Sequence, residues 1–229
     1  MGIIGVVAAL TLPNLNSSTG EKEKVAKVKK IYSNLQDAFG RAEAVYGPLD
    51  EWFKNDSSNT DYSKRFMTRL TEFMKVSKDC GFDVSGKCFT TKDKNLYDST
   101  YGENRHYAYN RDTNYKVVLA DNTAISASCS KFATYCSCSI FTDIDSSNKG
   151  ASIWGSDLFF FHVSSTNNDG IAVYAYKEYY DENPCSDPDD KDCAGWIITY
   201  DNADYLKTKD GKTCPNGKIL SWGGNTSCN

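Results

Sequence analysis

The opening of the chain constrains its fold most. Residues 2–12 are apolar except for Thr11, and no charged side chain appears before Glu21. A helix that crosses a bilayer needs about 20 apolar residues. This run of eleven therefore makes half of a span or the core of a signal peptide. A secretory signal has a positive start and a small-residue cleavage site. Here no Lys or Arg precedes the apolar run, and Leu12-Pro-Asn-Leu15 is a poor cleavage site. The preferred reading is a helix that continues into the chain.

Residues 14–20 are rich in Asn, Ser and Gly. Pro13 removes one helix hydrogen bond and bends the rod, so a kink or a locally melted stretch is expected here. Residues 21–46 then read as one amphipathic helix. Val25, Val28, Tyr32, Leu35, Phe39, Ala42 and Tyr46 alternate at spacings of three and four, which puts them on one stripe. Gly47-Pro48 ends it. The stripe packs on the chain's own sheet or joins a bundle of subunits, and spacing alone favours the first. Gly5 and Ala9 have the small-xxx-small spacing that lets helices approach closely in lipid.

The organisation expected from this pattern is three segments: a helix over 1–20 kinked at Pro13, an amphipathic helix over 21–46, and a globular α+β head over 47–229. The length of 229 residues allows one domain of about 180 residues plus a stalk. A second helix is expected over 61–76, with Phe66, Leu70, Phe73 and Met74 on one side. Strand-like runs follow at 115–120 and 123–127, flanking a hairpin turn at Asp121-Asn122. Further runs lie at 140–144, 158–163, 171–176 and 196–200. Asn167-Asn-Asp-Gly170 is a turn signal between two of them. The fold class is α+β: a long N-terminal helix, partly transmembrane, on an antiparallel sheet with disulfide-bonded loops.

Nine cysteines indicate an oxidising compartment. Close spacing pairs Cys80 with Cys88, Cys185 with Cys193, and Cys214 with Cys228. Cys129, Cys136 and Cys138 then share one bridge and leave one thiol. Zinc or redox chemistry at Cys136-Ser-Cys138 is the weaker alternative, since no histidine lies nearby and the zinc spacing is wrong. Net charge is −4 and mean hydropathy is −0.54, which gives no global pull toward nucleic acid. Lys22, Lys24, Lys27, Lys29 and Lys30 form the one basic patch. Flanking lysines mark the cytoplasmic side of a span, whereas the cysteines place the following domain outside, and the cysteines carry more weight. The patch meets lipid head groups, meets a neighbouring subunit, or is a solvated helix face.

Ile3-Ile-Gly-Val-Val-Ala-Ala-Leu-Thr-Leu-Pro-Asn-Leu15 resembles the second half of the N-terminal helix of type IV pilins and type II secretion pseudopilins. Trp196-Ile-Ile-Thr-Tyr-Asp-Asn-Ala-Asp-Tyr-Leu206 is similar to a late strand-and-turn segment of pseudopilin-like proteins. Ile140-Phe-Thr-Asp-Ile-Asp145 with Gly150, Gly155 and Asp157-Leu-Phe-Phe-Phe161 is similar to another. A C-terminal loop closed by Cys214 and Cys228 also resembles the family. The family's basic leader, processing site and glutamate have no counterpart here, so the resemblance implies a chain beginning about ten residues inside the mature helix.

The resemblance implies a structural subunit of a pilus or secretion pseudopilus. It would rest in the inner membrane with a periplasmic or extracellular head, then enter a helical filament. The membrane and assembly residues would be Ile3, Ile4, Gly5, Val6, Val7, Ala8, Ala9, Leu10, Leu12 and Pro13. Partners would be other subunits, an inner-membrane assembly platform, a prepilin peptidase acting on the leader, and membrane lipid. Nucleic acid is not expected. The alternatives are a minor pilin acting as adhesin or DNA receptor, and a secreted disulfide-rich protein with a cleaved signal.

No catalytic constellation is legible. His162 lies in an apolar strand, Phe159-Phe-Phe-His-Val163, and His106 at a polar edge. No Gly-x-Ser-x-Gly or glycine-rich phosphate loop occurs. No enzyme activity and no cofactor are expected, calcium excepted. Asp143, Asp145 and Asp157 surround a Ser-Asn-Gly turn, and Asp187-Pro-Asp-Asp190 lies between Cys185 and Cys193. Clustered carboxylates suit calcium, and the resemblance adds to that, since some pseudopilins bind calcium in a sheet-domain loop. Turn residues and solvated loops explain both clusters without a metal, and calcium is the weaker reading, weakest at the second cluster.

Overall fold

A computed structural model describes residues 3–89, 93–94, 110–145, 152–166, 170–173, 185 and 193–229. It is an α+β structure. Helix α1, Ile3–Tyr46, runs 44 residues without a break, about 66 Å at 1.5 Å per residue. The expected melted stretch at 14–20 is absent. Pro13 withholds a single N–H, and the helix propagates through the Asn, Ser and Gly residues that follow. The side chains of residues 3–19 lie outside the description, and with them the Gly5 and Ala9 pair.

The helix stops where the sequence says. Gly47 adopts φ +78° and donates its N–H to Glu43 O at 2.9 Å, the left-handed cap that glycine adopts without strain. Pro48 then leads into a single turn, α2, Leu49–Trp52, and Trp52 Nε1 donates back to Gly47 O at 2.7 Å. Helix α3, Asn59–Thr71, is capped by Ser58, whose Oγ accepts from Asp61 N. It ends five residues before the expected limit. Phe73 and Met74 sit in tight turns, and residue 76 opens a strand.

Five antiparallel strands form the sheet in the order β1-β3-β4-β5-β7: Val76–Gly81, Tyr115–Leu119, Ala124–Lys131, Cys136–Asp143 and Leu158–Ser164. Two residues of β2, Asp93–Lys94, pair in parallel with β6, Ser152–Ile153. The Asp121-Asn122 turn joins β3 to β4 as expected, with Asn122 at φ +67°.

Alternation divides the sheet's two faces. Val117, Leu119, Ile125, Ala127, Ile140, Phe159, Phe161 and Val163 point toward the helices. Ala124, Phe141, Leu158 and Phe160 point the other way, against Phe89 and Trp154. On the helical side the α1 stripe meets the sheet. Val25, Val28, Leu35, Phe39 and Ala42 are buried, and Ile31 and Ala38 join them. Tyr32 stacks on Phe161 at 5.9 Å between centroids, and Phe39 contacts Trp52 at 5.5 Å. The stripe therefore faces its own domain. Residues 21–46 are the spine of the head.

One element differs in kind. The expected strand at 196–200 is a helix, α4, Cys193–Tyr200. Trp196 and Ile197 are fully buried, and Tyr200, one turn on, packs against Trp196 at 4.6 Å. A 3-10 turn, Asp204–Lys207, follows. Of the expected strand at 171–176, residues 171–173 are described. They form a single bridge, Ala172 with His162. Of the 167–170 turn only Gly170 is described. It takes φ +75°, and a Cβ there would lie 2.7 Å from Gln36 Oε1. That oxygen accepts from Ile171 N.

All three close-spaced disulfides are present: Cys80–Cys88, Cys185–Cys193 and Cys214–Cys228. The remaining bridge is Cys129–Cys138, and Cys136 is a free, buried thiol. Gly155 packs directly on the Cys185–Cys193 sulfurs. A Cβ at Gly155 would come within 2.6 Å of both.

Candidate functional site

The charged residues gather where α1 enters the head. The lysine cluster, the acidic cluster and the C-terminal loop meet there. Lys24 Nζ donates to Ser156 Oγ in the β6–β7 turn. Lys27 pairs with Glu23 on its own helix at 3.1 Å. Lys29 reaches Asp201, just past α4, at 2.7 Å, and Lys30 reaches Asp121 in the β3–β4 turn at 2.9 Å. Glu21 pairs with Lys207 at 3.3 Å, and Lys207 also pairs with Asp204. Burial raises the Glu21 carboxyl above its ordinary value despite Lys207.

Asp204 is nearly inaccessible and holds the C-terminal loop closed. It accepts from Ser227 Oγ at 2.8 Å and from Cys228 N at 2.7 Å. Burial pushes its carboxyl up, but Lys207 and these donors outweigh that and leave it below the usual range. The basic patch is thus largely a collar that ties α1 to three separate elements of the head. Lys22 is exposed. Each exposed pair stabilises by about 0–1 kcal/mol, so the collar fixes orientation more than it adds stability.

The three carboxylates Asp143, Asp145 and Asp157 lie close together at the end of β5 and the start of β7. Asp143 is fully buried. Ser152 Oγ donates to it at 2.6 Å, and Asp145 N at 3.2 Å. Asp157 accepts from Ile153 N, and its carbonyl accepts from Ile144 N at 2.8 Å. Burial pushes Asp143 up to about 6, against the pull of Ser152. Burial pushes Asp157 up to about 7, and the charges of Asp143 and Asp145 add to the rise while Lys24 opposes it. Among the described residues no three His, Cys, Asp or Glu side chains stand where they could hold a metal ion. The Asp143 and Asp157 carboxylates accept from N–H and O–H donors. The acidic run at 187–190 lies outside the described residues.

His162 sits in β7, paired across to Ser139 and bridged to Ala172, with burial lowering its pKa. That is the strand position expected of it. His106 lies outside the described residues. Lys116 is a further charged residue that was not singled out from sequence. Lys116 is fully buried in β3, and its Nζ donates to Arg111 O at 2.8 Å and to Asn114 O at 3.1 Å. Burial lowers it to about 8. The signal was a lysine inside the apolar run Tyr115-Lys-Val-Val-Leu119, and its role is to fasten the turn that precedes β3.

No described helix is long and apolar enough to cross a membrane. Compared with known proteins, the chain matches no family model, no curated protein and no solved structure.

Proposed function

We propose that this chain is a structural subunit of a filament of the type IV pilus or secretion-pseudopilus kind, in which α1 is the polymerising element and the disulfide-bonded head faces outward. One observation carries the reading. A single unbroken helix joins an apolar sequence at its start to the core spine of the head at its end. Any force on the apolar half is then transmitted rigidly into the head, and the collar at residues 21–30 fixes the exit angle.

The four bridges support a head that works in an oxidising compartment. Before assembly the subunit rests at the inner membrane, and afterwards the apolar halves of neighbouring copies bury one another. Burial in lipid is exchanged for burial between helices, so little apolar surface meets water during the transfer. The second reading is a minor subunit that binds a ligand at the filament tip. It draws on the β4–β5 turn, where Phe132 and Tyr135 stack at 4.5 Å and stay 49% and 37% exposed.

Replacing Val6 or Leu10 with Glu tests the main reading. The expected outcome is loss of both membrane retention and filament incorporation, with the head still folded by circular dichroism. Normal filament yield from either variant would reject it.

A further inference from the structure

The free thiol of Cys136 is not isolated. Cys129 and Cys138 face each other directly across β4 and β5, with Cα atoms 4.1 Å apart. Cys136 lies two residues from Cys138 on the same strand. Side chains two apart share a face, and all three cysteines belong to the same buried core. One ladder face therefore carries three sulfurs, of which two are bonded.

The native register does not let them exchange. Two residues along a strand separate parallel Cβ atoms by about 6.6 Å, and a bridge needs about 3.5–4.5 Å. This excludes Cys136–Cys138 in an extended strand. The diagonal from Cys136 to Cys129 is also too long, at about 7 Å. A slip of β5 by two residues changes that. It sets Cys136 directly opposite Cys129 and keeps every side chain on its own face, which a one-residue slip does not.

The geometry points to Cys136 as an exchange thiol that sets the β4–β5 register: a Cys129–Cys136 bridge forms in a slipped hairpin by exchange with an external small-molecule disulfide, which leaves as two thiols, and then migrates to Cys129–Cys138. The migration is redox-neutral. The Cys138 thiolate attacks Cys129 Sγ, the new Cys129–Cys138 bond forms, the Cys129–Cys136 bond breaks, and the electron pair leaves on Cys136, which takes up a proton. No oxidant is consumed in that step.

Two features favour this order. Cys129 and Cys136 are seven residues apart in the chain against nine for the native pair, and shorter loops close at lower entropic cost. The slipped hairpin is nonetheless the worse final state. It leaves a two-residue loop, Phe132-Ala133, where such turns need positive φ and hence Gly or Asn. The native loop, residues 132–135, instead closes with Phe132 N donating to Tyr135 O at 2.7 Å and both rings stacked. Once the native register forms, Cys136 is locked under the helices. Ser165 Oγ accepts from its N–H at 3.0 Å, and burial raises its thiol pKa, which ends exchange.

The test refolds the reduced full-length chain with limiting oxidised glutathione, with acid quenching, alkylation and peptide mass mapping over time. Cys129–Cys136 is expected to rise first. After removal of the oxidant it should convert to Cys129–Cys138 with the free-thiol count constant and at a rate independent of chain concentration. A Cys138→Ser variant should trap Cys129–Cys136 as its bridge. Cys136 found free from the earliest time point in the wild type, or Cys129 and Cys136 both free in the Cys138→Ser chain, would overturn the proposal.

Discussion

Asp157 shows how far one side chain is held from its ordinary chemistry. Burial raises its carboxyl to about 7, and Asp143 and Asp145 add to the rise. The folded pKa thus lies above the unfolded value of about 3.9. Such a group contributes stability below about pH 4, and that contribution is lost as pH rises through about 7. At pH 8 the charged form is a burden that Lys24 and Ile153 N only partly offset. Asp157→Asn keeps an oxygen for Ile153 N and removes the charge. It should raise the melting temperature at pH 8 by about 3–6 °C, for about 1–2 kcal/mol after discounting partial solvent contact and coupling to Asp143. At pH 5 the difference should be smaller, and it should vanish only below about pH 4. Thermal unfolding by circular dichroism at both pH values decides this. A loss of stability at pH 8 would mean that attraction to Lys24 outweighs burial.

Helix α1 has two faces with opposite tolerances. Leu35 is fully buried against the sheet, whereas Val45 is 62% exposed. Leu35→Ala should cost about 2–5 kcal/mol, the price of an unfilled core site, and Val45→Ala less than about 0.5 kcal/mol. Urea unfolding of both variants checks the ordering. Equal costs would mean that the helix does not pack as described. The stripe was legible from sequence because a 3.6-residue period on a long helix is a strong local signal. The β3–β4 hairpin and the three close disulfides were legible for the same reason. The missed elements lacked such signals. Strand β1 is a sheet edge exposed on most of its length, so its sequence, Val76-Ser-Lys-Asp-Cys-Gly81, carries no apolar alternation. Helix α4 is built from Trp, Ile and Thr, which favour strands in isolation, and tertiary burial of Trp196 and Ile197 overrides that preference. The collar was legible only in part. Its lysines stand out, but Asp201 and Asp121 lie 172 and 91 residues away from their partners.

At the scale of the whole molecule, the proposed filament role gives α1 two jobs that divide near residue 20. Among the described residues the buried core starts at Val25, and the first ion pair to the head is Glu21 with Lys207. The described contacts that hold the head together therefore lie from Glu21 onward. A chain starting at Gly20 should fold, unfold cooperatively and melt within a few degrees of the full chain, yet fail to enter filaments. A chain starting at Pro48 should not fold. It loses Val28, Leu35 and Ala42, all at 0% exposure, and strips the helical cover from the inner face of the sheet. Near-ultraviolet circular dichroism reports packing of Trp52 and Trp196, and sedimentation reports assembly. Filaments from the Gly20 chain would place polymerisation in the head. A folded Pro48 chain would mean that the sheet has another way to cover its apolar face. The first outcome rejects α1 as the polymerising element and leaves the fold standing, and the second does the reverse, so the two truncations test the proposed role of α1 and its packing separately.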